Sequence, residues 1–236
     1  MIKNLLRKTK RKLAIWPPVG KVRMGSLRRL KPISKIFGIE RGLPIDRYYI
    51  ESFLNRNKKD IQGRVLEIGD SIYTRKFGNK HISQSDVLHA THGNPHATLV
   101  GDLSTGEGIP KETFDCMIVI QTYLVIYEVK KAIIHTYNAL LPGGVLLATF
   151  PGISQISRYD MDRWGDYWRF TDASAKRLFG DVFGKENVNV ETFGNVLTAC
   201  AFLHGLSAEE LKKKELDYHD PDYQVLITVR AIKTKK

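Results

Sequence analysis

The segment Arg64–Gly69 constrains the fold more than any other part of the sequence. It reads as a strand that closes on an acidic residue and a glycine. Such an ending is typical of the strand–turn–helix units that hold nucleotide-like ligands in α/β proteins. The turn that follows departs from the usual glycine-rich form, because Asp70, Ser71 and Tyr73 stand there. The segment therefore predicts an α/β fold whose ligand loop follows a path of its own.

Strand and helix patterns alternate along the rest of the chain. Apolar runs between turn signals predict further strands over residues 83–88, 98–101, 114–121, 145–150, 188–193 and 224–232. Periodicity and capping residues predict helices over residues 2–16, 45–60, 129–141, 171–179 and 196–203. This alternation predicts a mostly parallel, seven-stranded sheet with helices on its faces. The segments 70–82 and 89–97 leave little room for helices, so the first crossovers should be short.

The positive charge is concentrated at the start of the chain. Residues 1–41 hold thirteen Lys or Arg and a single acid, whereas the remaining residues are balanced. We therefore predict a basic arm and linker over residues 1–44 and a neutral α/β domain over residues 45–236. The arm is interpreted as a solvated charge run, as a contact to an anionic membrane surface, or as a docking segment for a partner protein. Nucleic-acid binding is the least favoured interpretation, because the neutral domain offers no matching basic face.

The rest of the sequence predicts a protein of a reducing compartment that has no membrane span and no metal site. No apolar run approaches the length of a membrane span, and the basic start lacks the apolar stretch of a secretory signal. Cys116 and Cys200 lie in apolar segments without a paired framework, which is typical of core thiols. His89, His92 and His96 have no ligand partners at the usual metal-binding intervals, so we expect no metal site. We expect the protein to be cytoplasmic, and to lie at the inner face of the membrane as a peripheral protein if the arm binds lipid.

Polar residues recur where the predicted strands end. Glu67 and Gly69 lie at the end of the first strand and Asp86 lies near the end of the second. Asp102 ends the third strand and Gln121 the fourth. Ligands of open α/β sheets bind outside the carboxyl ends of the strands. These residues should therefore surround one crevice.

Four motifs together resemble the class I S-adenosylmethionine (SAM)-dependent methyltransferase family. They are the strand ending at Gly69, Gly101-Asp-Leu103, the Phe-Asp strand over 114–121, and the Leu-Pro-Gly-Gly turn within 139–147. The resemblance covers roughly residues 61–152 and implies a Rossmann-like fold with SAM as cofactor. It implies that the cofactor is bound by Glu67, Gly69, Asp70, Ser71, Asp86, Asp102, Leu103 and Gln121. In detail, Glu67 and Gly69 would line the methionine end, Asp86 the ribose, Asp102 and Leu103 the adenine, and Gln121 the sulfonium.

A second segment, Arg158–Thr171, combines aromatic rings, arginines and acids. Its Asp-Tyr-Trp-Arg-Phe-Thr portion resembles methyltransferases found with glycosyltransferases in bacterial surface-polysaccharide pathways. Aromatic faces and charged groups suit a sugar ring with its hydroxyls, so we predict that the acceptor is bound by Arg158, Tyr159, Trp164, Tyr167 and Arg169. For the catalytic base we predict Asp166 first and Asp162 second, with Asp160 as a further candidate. The alternative is that Trp168, Arg169 and Phe170 only build the core.

These observations favour SAM-dependent O-methylation of a saccharide or another small hydroxylated acceptor, including a lipid-linked one. One alternative is a non-catalytic interaction module of a glycan-assembly complex, in which residues 1–41 contact a glycosyltransferase. The missing glycines at positions 71 and 73 support it. A second alternative is an RNA methyltransferase guided by the basic arm.

Overall fold

The computed structural model describes residues 17–78 and 80–234. The chain divides into two compact units, residues 1–32 and 33–236, so the division falls earlier than the predicted boundary after residue 44. In the first unit, the described residues hold one short 3₁₀ helix, Gly25–Leu27. The helix predicted over residues 2–16 lies outside the described residues.

The second unit is built on one seven-stranded sheet, which confirms the predicted α/β fold class. Its strands in chain order are β1 (Gly63–Ile68), β2 (Ile82–His89), β3 (Leu99–Val100), β4 (Phe114–Ile120), β5 (Leu140–Pro151), β6 (Val188–Phe193) and β7 (Leu226–Ile232). The spatial order is β3-β2-β1-β4-β5-β7-β6, in which only β7 runs antiparallel to its neighbours. The chain order reverses between β1 and β4, which is where ligands of such sheets bind.

Helices cover both faces of the sheet. They are α1 (Ile45–Arg56), α2 (Ile72–Phe77), α3 (Val129–Ala139), α4 (Arg158–Met161), α5 (Asp172–Phe183), α6 (Val196–Leu203) and α7 (Lys213–Leu216). Short 3₁₀ helices follow several of these elements, at Lys58–Asp60, Tyr123–Val125, Lys185–Asn187 and Ala208–Glu210. In the described parts of the chain, no helix has both the length and the apolar character needed to cross a bilayer.

The first face of the sheet is covered by α3 and α5. Leu66 and Met117 of the sheet pack there with Ile133 of α3 and Phe179 of α5. Helix α5 begins as predicted at Thr171, whose hydroxyl accepts the Ser174 N–H at 3.3 Å while the Ser174 hydroxyl accepts the Thr171 N–H at 3.0 Å. This capping box fixes where the helix starts, and therefore how its apolar side meets the sheet.

The second face is covered by α1, α2, α6 and α7. Val65 and Cys116 of the sheet pack there against Tyr49 and Phe53 of α1 and Phe202 of α6. Successive strand residues point to opposite faces, which is why Val65 and Leu66 belong to different cores. On this face α1 packs mainly against β5, β7 and the neighbouring helices α2 and α6.

The first crossovers are short, as predicted. The described residues between β1 and β2 contain only the six-residue helix α2, and residues 90–98 between β2 and β3 contain no helix. Residues 101–113 also connect β3 to β4 without a helix. The carboxyl ends of β1 and β2 are therefore left open toward solvent, and a cavity forms there.

An aromatic cluster should contribute strongly to the stability of the first face. Phe179 is fully buried and lies 5.4 Å from Phe150 and 5.7 Å from Tyr123, measured between ring centroids. We expect Phe179→Ala to lower the free energy of unfolding by about 3–5 kcal/mol, because the substitution removes apolar burial and leaves a cavity. Tyr218→Ala, at an exposed ring, should change it by less than about 0.5 kcal/mol. Urea denaturation measures both, and equal effects would contradict this account of the core.

Candidate functional site

A cavity of about 560 Å³ lies at the carboxyl ends of β1, β2 and β4, and we call it the main cavity. A volume of several hundred cubic ångströms is typical of small-molecule sites. Its walls come from strand ends, from the loops after β2 and β3, and from the segment before α5. The residues used below are Gly69, His89, Thr91, Asp102, Leu103, Gln121, Ile126, Glu128, Asp160, Trp164 and Tyr167.

Gly69 leaves the backbone accessible at the end of β1. Its φ is +84°, and a Cβ built there would meet no atom within 4 Å. Its N–H donates to Leu88 O at 2.9 Å and its carbonyl accepts from Asn94 Nδ2 at 2.7 Å, so the peptide is held from both sides. The position suits the close approach of a ligand to the chain, which a side chain would obstruct.

Glu67 does not line the main cavity. Its buried carboxylate accepts the Tyr73 N–H at 3.0 Å, the Thr74 N–H at 2.8 Å and the Thr74 hydroxyl at 2.8 Å. Burial raises the pKa of the Glu67 carboxyl, although these donors oppose the rise. The side chain thus fixes the start of α2, and its effect on a ligand is exerted through the loop between Gly69 and α2.

The residues that replace glycine in this loop point elsewhere. Tyr73 packs on the second face of the sheet, where its hydroxyl lies 2.6 Å from Arg47 Nη1. Ser71 accepts a hydrogen bond from Arg75, and Asp70 accepts the Ile72 N–H at 2.9 Å. The ring of Tyr73 therefore does not narrow the main cavity, and Asp70 and Ser71 do not line it.

The ribose-binding role predicted for Asp86 does not fit its position. Strand β2 continues for three residues beyond Asp86, and His89 stands at the end, where an acid was predicted. The buried Asp86 carboxylate is occupied by Arg64 Nε at 2.7 Å, Gln84 Nε2 at 3.0 Å and the Thr98 hydroxyl at 3.0 Å. Burial alone would raise the pKa of the Asp86 carboxyl, but these three hydrogen bonds outweigh it and hold the pKa below its usual range.

The end of β3 places Asp102 and Leu103 in the main cavity, as the sequence predicts. Asp102 Oδ1 accepts the Ser104 N–H at 2.7 Å, which orients the carboxylate at the rim. Leu103 is almost fully buried and gives the same wall an apolar surface. A polar edge beside an apolar patch suits a planar heterocycle that carries hydroxyl groups.

Gln121 is the most unusual residue of the site. Its φ is +49°, an uncommon backbone conformation for a residue with a side chain. Its Oε1 is buried, and no described residue donates a hydrogen bond to it. Strained backbone and unsatisfied buried polar atoms both concentrate at functional sites. Gln121 lines the main cavity and also a second one.

The second cavity measures about 150 Å³ and lies beside the main cavity. Segment 36–47, the end of β5 and the segment 154–169 form most of its wall. Asp46 and Arg47, in the first turn of α1, face this cavity, and burial raises the pKa of the Asp46 carboxyl. Sequence reasoning missed both residues, whose only signal was a charged pair at the start of the helix before β1.

The aromatic segment before α5 divides between the cavities and the surface. Trp164 and Tyr167 line the main cavity, and Arg169 lines the second cavity. Arg158 and Tyr159 line neither of the two; the exposed Tyr159 ring lies 3.6 Å from the Arg163 guanidinium carbon. The acceptor contacts predicted for Arg158 and Tyr159 are therefore not met by their positions.

The two predicted catalytic acids are not placed for that role. Asp162 is exposed and lines neither cavity. Asp166 lines the second cavity, but its buried carboxylate binds Arg169 through both oxygens and accepts the Ser157 N–H at 2.9 Å. Burial alone would raise the pKa of the Asp166 carboxyl, yet these bonds hold it below the usual range, so Asp166 is a poor proton acceptor.

Asp160, which the sequence offered only as a further candidate, lines both cavities together with Gln121. Among the described residues, none donates a hydrogen bond to its carboxylate. It is therefore the acid that is free to contact a ligand where the two cavities meet.

Two neighbouring aromatic side chains belong to the core, in line with the alternative interpretation. Phe170 packs 4.8 Å from Phe150 between ring centroids, and Trp168 Nε1 donates to Ile126 O at 3.1 Å.

Over residues 17–78 and 80–234, no group of three or more His, Cys, Asp or Glu is arranged to hold a metal ion.

Comparisons with known proteins bear on the fold. No protein-family model matches the chain, and no curated protein matches it. Among solved structures, a SAM-dependent methyltransferase from Archaeoglobus fulgidus is 13% identical with a TM-score of 0.52, and the match covers 79% of this chain and 94% of that one. The N-methyltransferase NodS from Bradyrhizobium japonicum WM9, in complex with S-adenosyl-L-homocysteine, is 14% identical with a TM-score of 0.50, covering 96% and 97%.

A third neighbour, the cyclase SpnF, is 13% identical with a TM-score of 0.51, covering 87% of this chain and 90% of its own. Structural similarity at 13–14% sequence identity establishes the fold but not the reaction. The chain therefore has the Rossmann-like class I methyltransferase fold.

The hydrogen bonds of the Asp86 carboxylate should make the free energy of unfolding depend on pH in the acid range. Because its pKa is lowered in the folded state, the stabilisation is complete above the ordinary carboxyl pKa of about 4 and is lost as the pH falls below it. We expect Asp86→Asn to lower the free energy of unfolding by about 1–3 kcal/mol at pH 7. Between pH 7 and pH 3, the variant should lose less of its free energy of unfolding than the wild type does. Urea denaturation at both pH values measures this. Asp222→Asn, at an exposed position, is the control, and an Asp86→Asn variant with the wild-type acid dependence would contradict the assignment.

Proposed function

We propose that the protein transfers a methyl group from SAM, bound in the main cavity, to a small acceptor bound in the second cavity. The observation that carries the proposal is the junction of the two cavities at Gln121 and Asp160. A transferase must bring two ligands together at one point while keeping most of each in its own site. The positive φ of Gln121 and the absence of a described donor to its Oε1 support the proposal that the reaction takes place at this junction.

The residues of the main cavity fit the cofactor. The open backbone at Gly69 suits a zwitterionic amino-acid tail, and Leu103 with Ile126 offers apolar surface for a purine. Asp102, Glu128 and His89 supply polar groups for ribose hydroxyls in place of the occupied Asp86. When bound, SAM supplies a methyl group that is already activated as a sulfonium. NodS, a fold neighbour, binds the demethylated form of the same cofactor.

The second cavity favours an acceptor that donates hydrogen bonds. The Asp46 and Asp160 carboxyls and Gln121 Oε1 line it, and each carries an oxygen that can accept a proton donor. Phe37 and Phe202 add an apolar wall that suits the carbon face of a sugar ring. We therefore propose a saccharide hydroxyl as the acceptor, with Asp160 accepting its proton and Asp46 orienting it.

A non-catalytic role is the second candidate, and one observation favours it. Asp86 is bound by Arg64, so no acid of β2 faces the main cavity. A chain that had lost catalysis could keep the fold as an interaction module. SAM binding separates the candidates, because a module of this kind has no need to retain it.

Cofactor binding is tested by filling the cavity at Gly69. We expect Gly69→Val to weaken SAM binding about tenfold or more in calorimetry, which corresponds to at least 1.4 kcal/mol, because its side chain enters the space beside the backbone. Gly93→Val is the matched control: Gly93 also has positive φ and an open Cβ position, but it does not line the main cavity. No binding of SAM to the wild type at millimolar concentration would contradict the proposal.

The catalytic role is tested at Asp160. We expect Asp160→Asn to bind SAM as the wild type does but to lower kcat by about 10²–10⁴-fold, because the acceptor hydroxyl loses its base. The assay follows S-adenosyl-L-homocysteine release with monosaccharides, uronic acids and lipid-linked sugars. Asp162→Asn, two residues away and outside both cavities, should retain activity. Full activity of Asp160→Asn would remove Asp160 from the mechanism.

A further inference from the structure

Helix α6 exposes an apolar side to solvent. Exposed helix faces are normally polar, but none of the eight residues of α6 is charged. Ala199 and Phe202 are buried against the second face of the sheet, whereas the opposite side of the helix exposes Val196, Leu197, Cys200 and Leu203. Such a surface is unusual on a protein that works alone in water, and it suggests a contact.

The segment 33–39 of the same unit lies beside the end of α6 and adds further exposed aliphatic residues. Ile33 and Ser34 donate their N–H groups to His204 O, just beyond α6, at 2.8 and 3.1 Å. Ile36 and Ile39 follow, and both also line the second cavity. We call the exposed aliphatic residues of this surface the apolar rim; each is between 41% and 65% exposed, and they are Ile36, Ile39, Val196, Leu197 and Leu203.

The chain that leads into the apolar rim is strongly basic. Residues 17–32 hold five Lys or Arg and no acid, and they also expose the aliphatic side chains of Val19, Val22, Met24 and Leu30. Bases interspersed with exposed aliphatic residues are typical of segments that bind anionic bilayers. This sequence joins the second unit at Ile33, three residues before the rim begins.

We propose that the apolar rim inserts into the surface of an anionic lipid bilayer while the basic arm supplies the electrostatic attraction. Charge decides between this occupant and a second copy of the chain. Two copies joined through the rim would bring together two arms that each carry a large positive charge, which is unfavourable, whereas an anionic surface neutralises it. The proposal does not depend on methyl transfer, and its test uses no activity measurement.

The test uses the full chain and vesicles of phosphatidylcholine with or without phosphatidylglycerol. Cys116 is buried and Cys200 is exposed beside the apolar rim, so a polarity-sensitive fluorophore should label Cys200 selectively. We expect vesicles with phosphatidylglycerol to bind the chain and shift the emission to the blue, and added salt to weaken binding. Phosphatidylcholine alone should bind far less.

A double variant separates the rim from the arm. We expect Leu197→Gln with Leu203→Gln to lower partitioning into phosphatidylglycerol vesicles about tenfold, because two inserted side chains become polar. Ile134→Gln, at an exposed aliphatic residue of α3, should leave partitioning unchanged.

Several results would overturn the proposal. The first is that the wild type does not bind vesicles with phosphatidylglycerol. The second is that the wild type binds them but the fluorophore emission does not shift. The third is that the double variant partitions into these vesicles as strongly as the wild type does. A dimer in lipid-free solution that the double variant abolishes would instead assign the rim to contacts between copies.

Discussion

The hydrogen bonds of the buried Glu67 carboxylate determine the shape of the ligand end of the sheet. They tie the end of β1 to the first turn of α2, so the loop after Gly69 turns away from the crevice without further glycines. Because this turn is fixed, Tyr73 reaches the second face of the sheet, where it contacts Arg47 of α1. The path of the loop after Gly69 and the contact between α2 and α1 therefore both depend on this one carboxylate.

A second fixed point lies in the segment before α5. Asp166 and Arg169 bind each other, and Arg169 Nη2 also donates to Gln155 O at 2.6 Å. This ion pair fixes the segment that carries Asp160 and Trp164, and both of these side chains line the crevice. Asp166, predicted from the sequence as the catalytic base, thus serves to position Arg169, whereas no residue in the described part of the chain donates a hydrogen bond to the Asp160 carboxylate.

Local sequence patterns are sufficient for the fold and less so for the site. Strand β4 is a continuous apolar run and α5 begins at a capping box, so short-range chemistry locates them. Asp86 was predicted to bind ribose because it lies near the end of the predicted second strand, but no local pattern shows that Arg64 and Thr98 occupy its carboxylate. Asp46 carried only a weak signal in the sequence, since it reaches the second cavity through the packing of α1 across the sheet. Whether a carboxylate is free or paired depends on partners distant in sequence, as Asp160 and Asp166 illustrate.

The positive φ of Gln121 also has a consequence for how this protein can change over evolution. A glycine would adopt the same backbone without strain, so mutation toward greater stability is available at this position. The side chain present strains the backbone by about 1–3 kcal/mol, and no residue in the described part of the chain donates a hydrogen bond to its oxygen. A glycine here would remove both the strain and the unsatisfied oxygen, so the residue found at this position in diverged descendants would show whether the junction needs the amide.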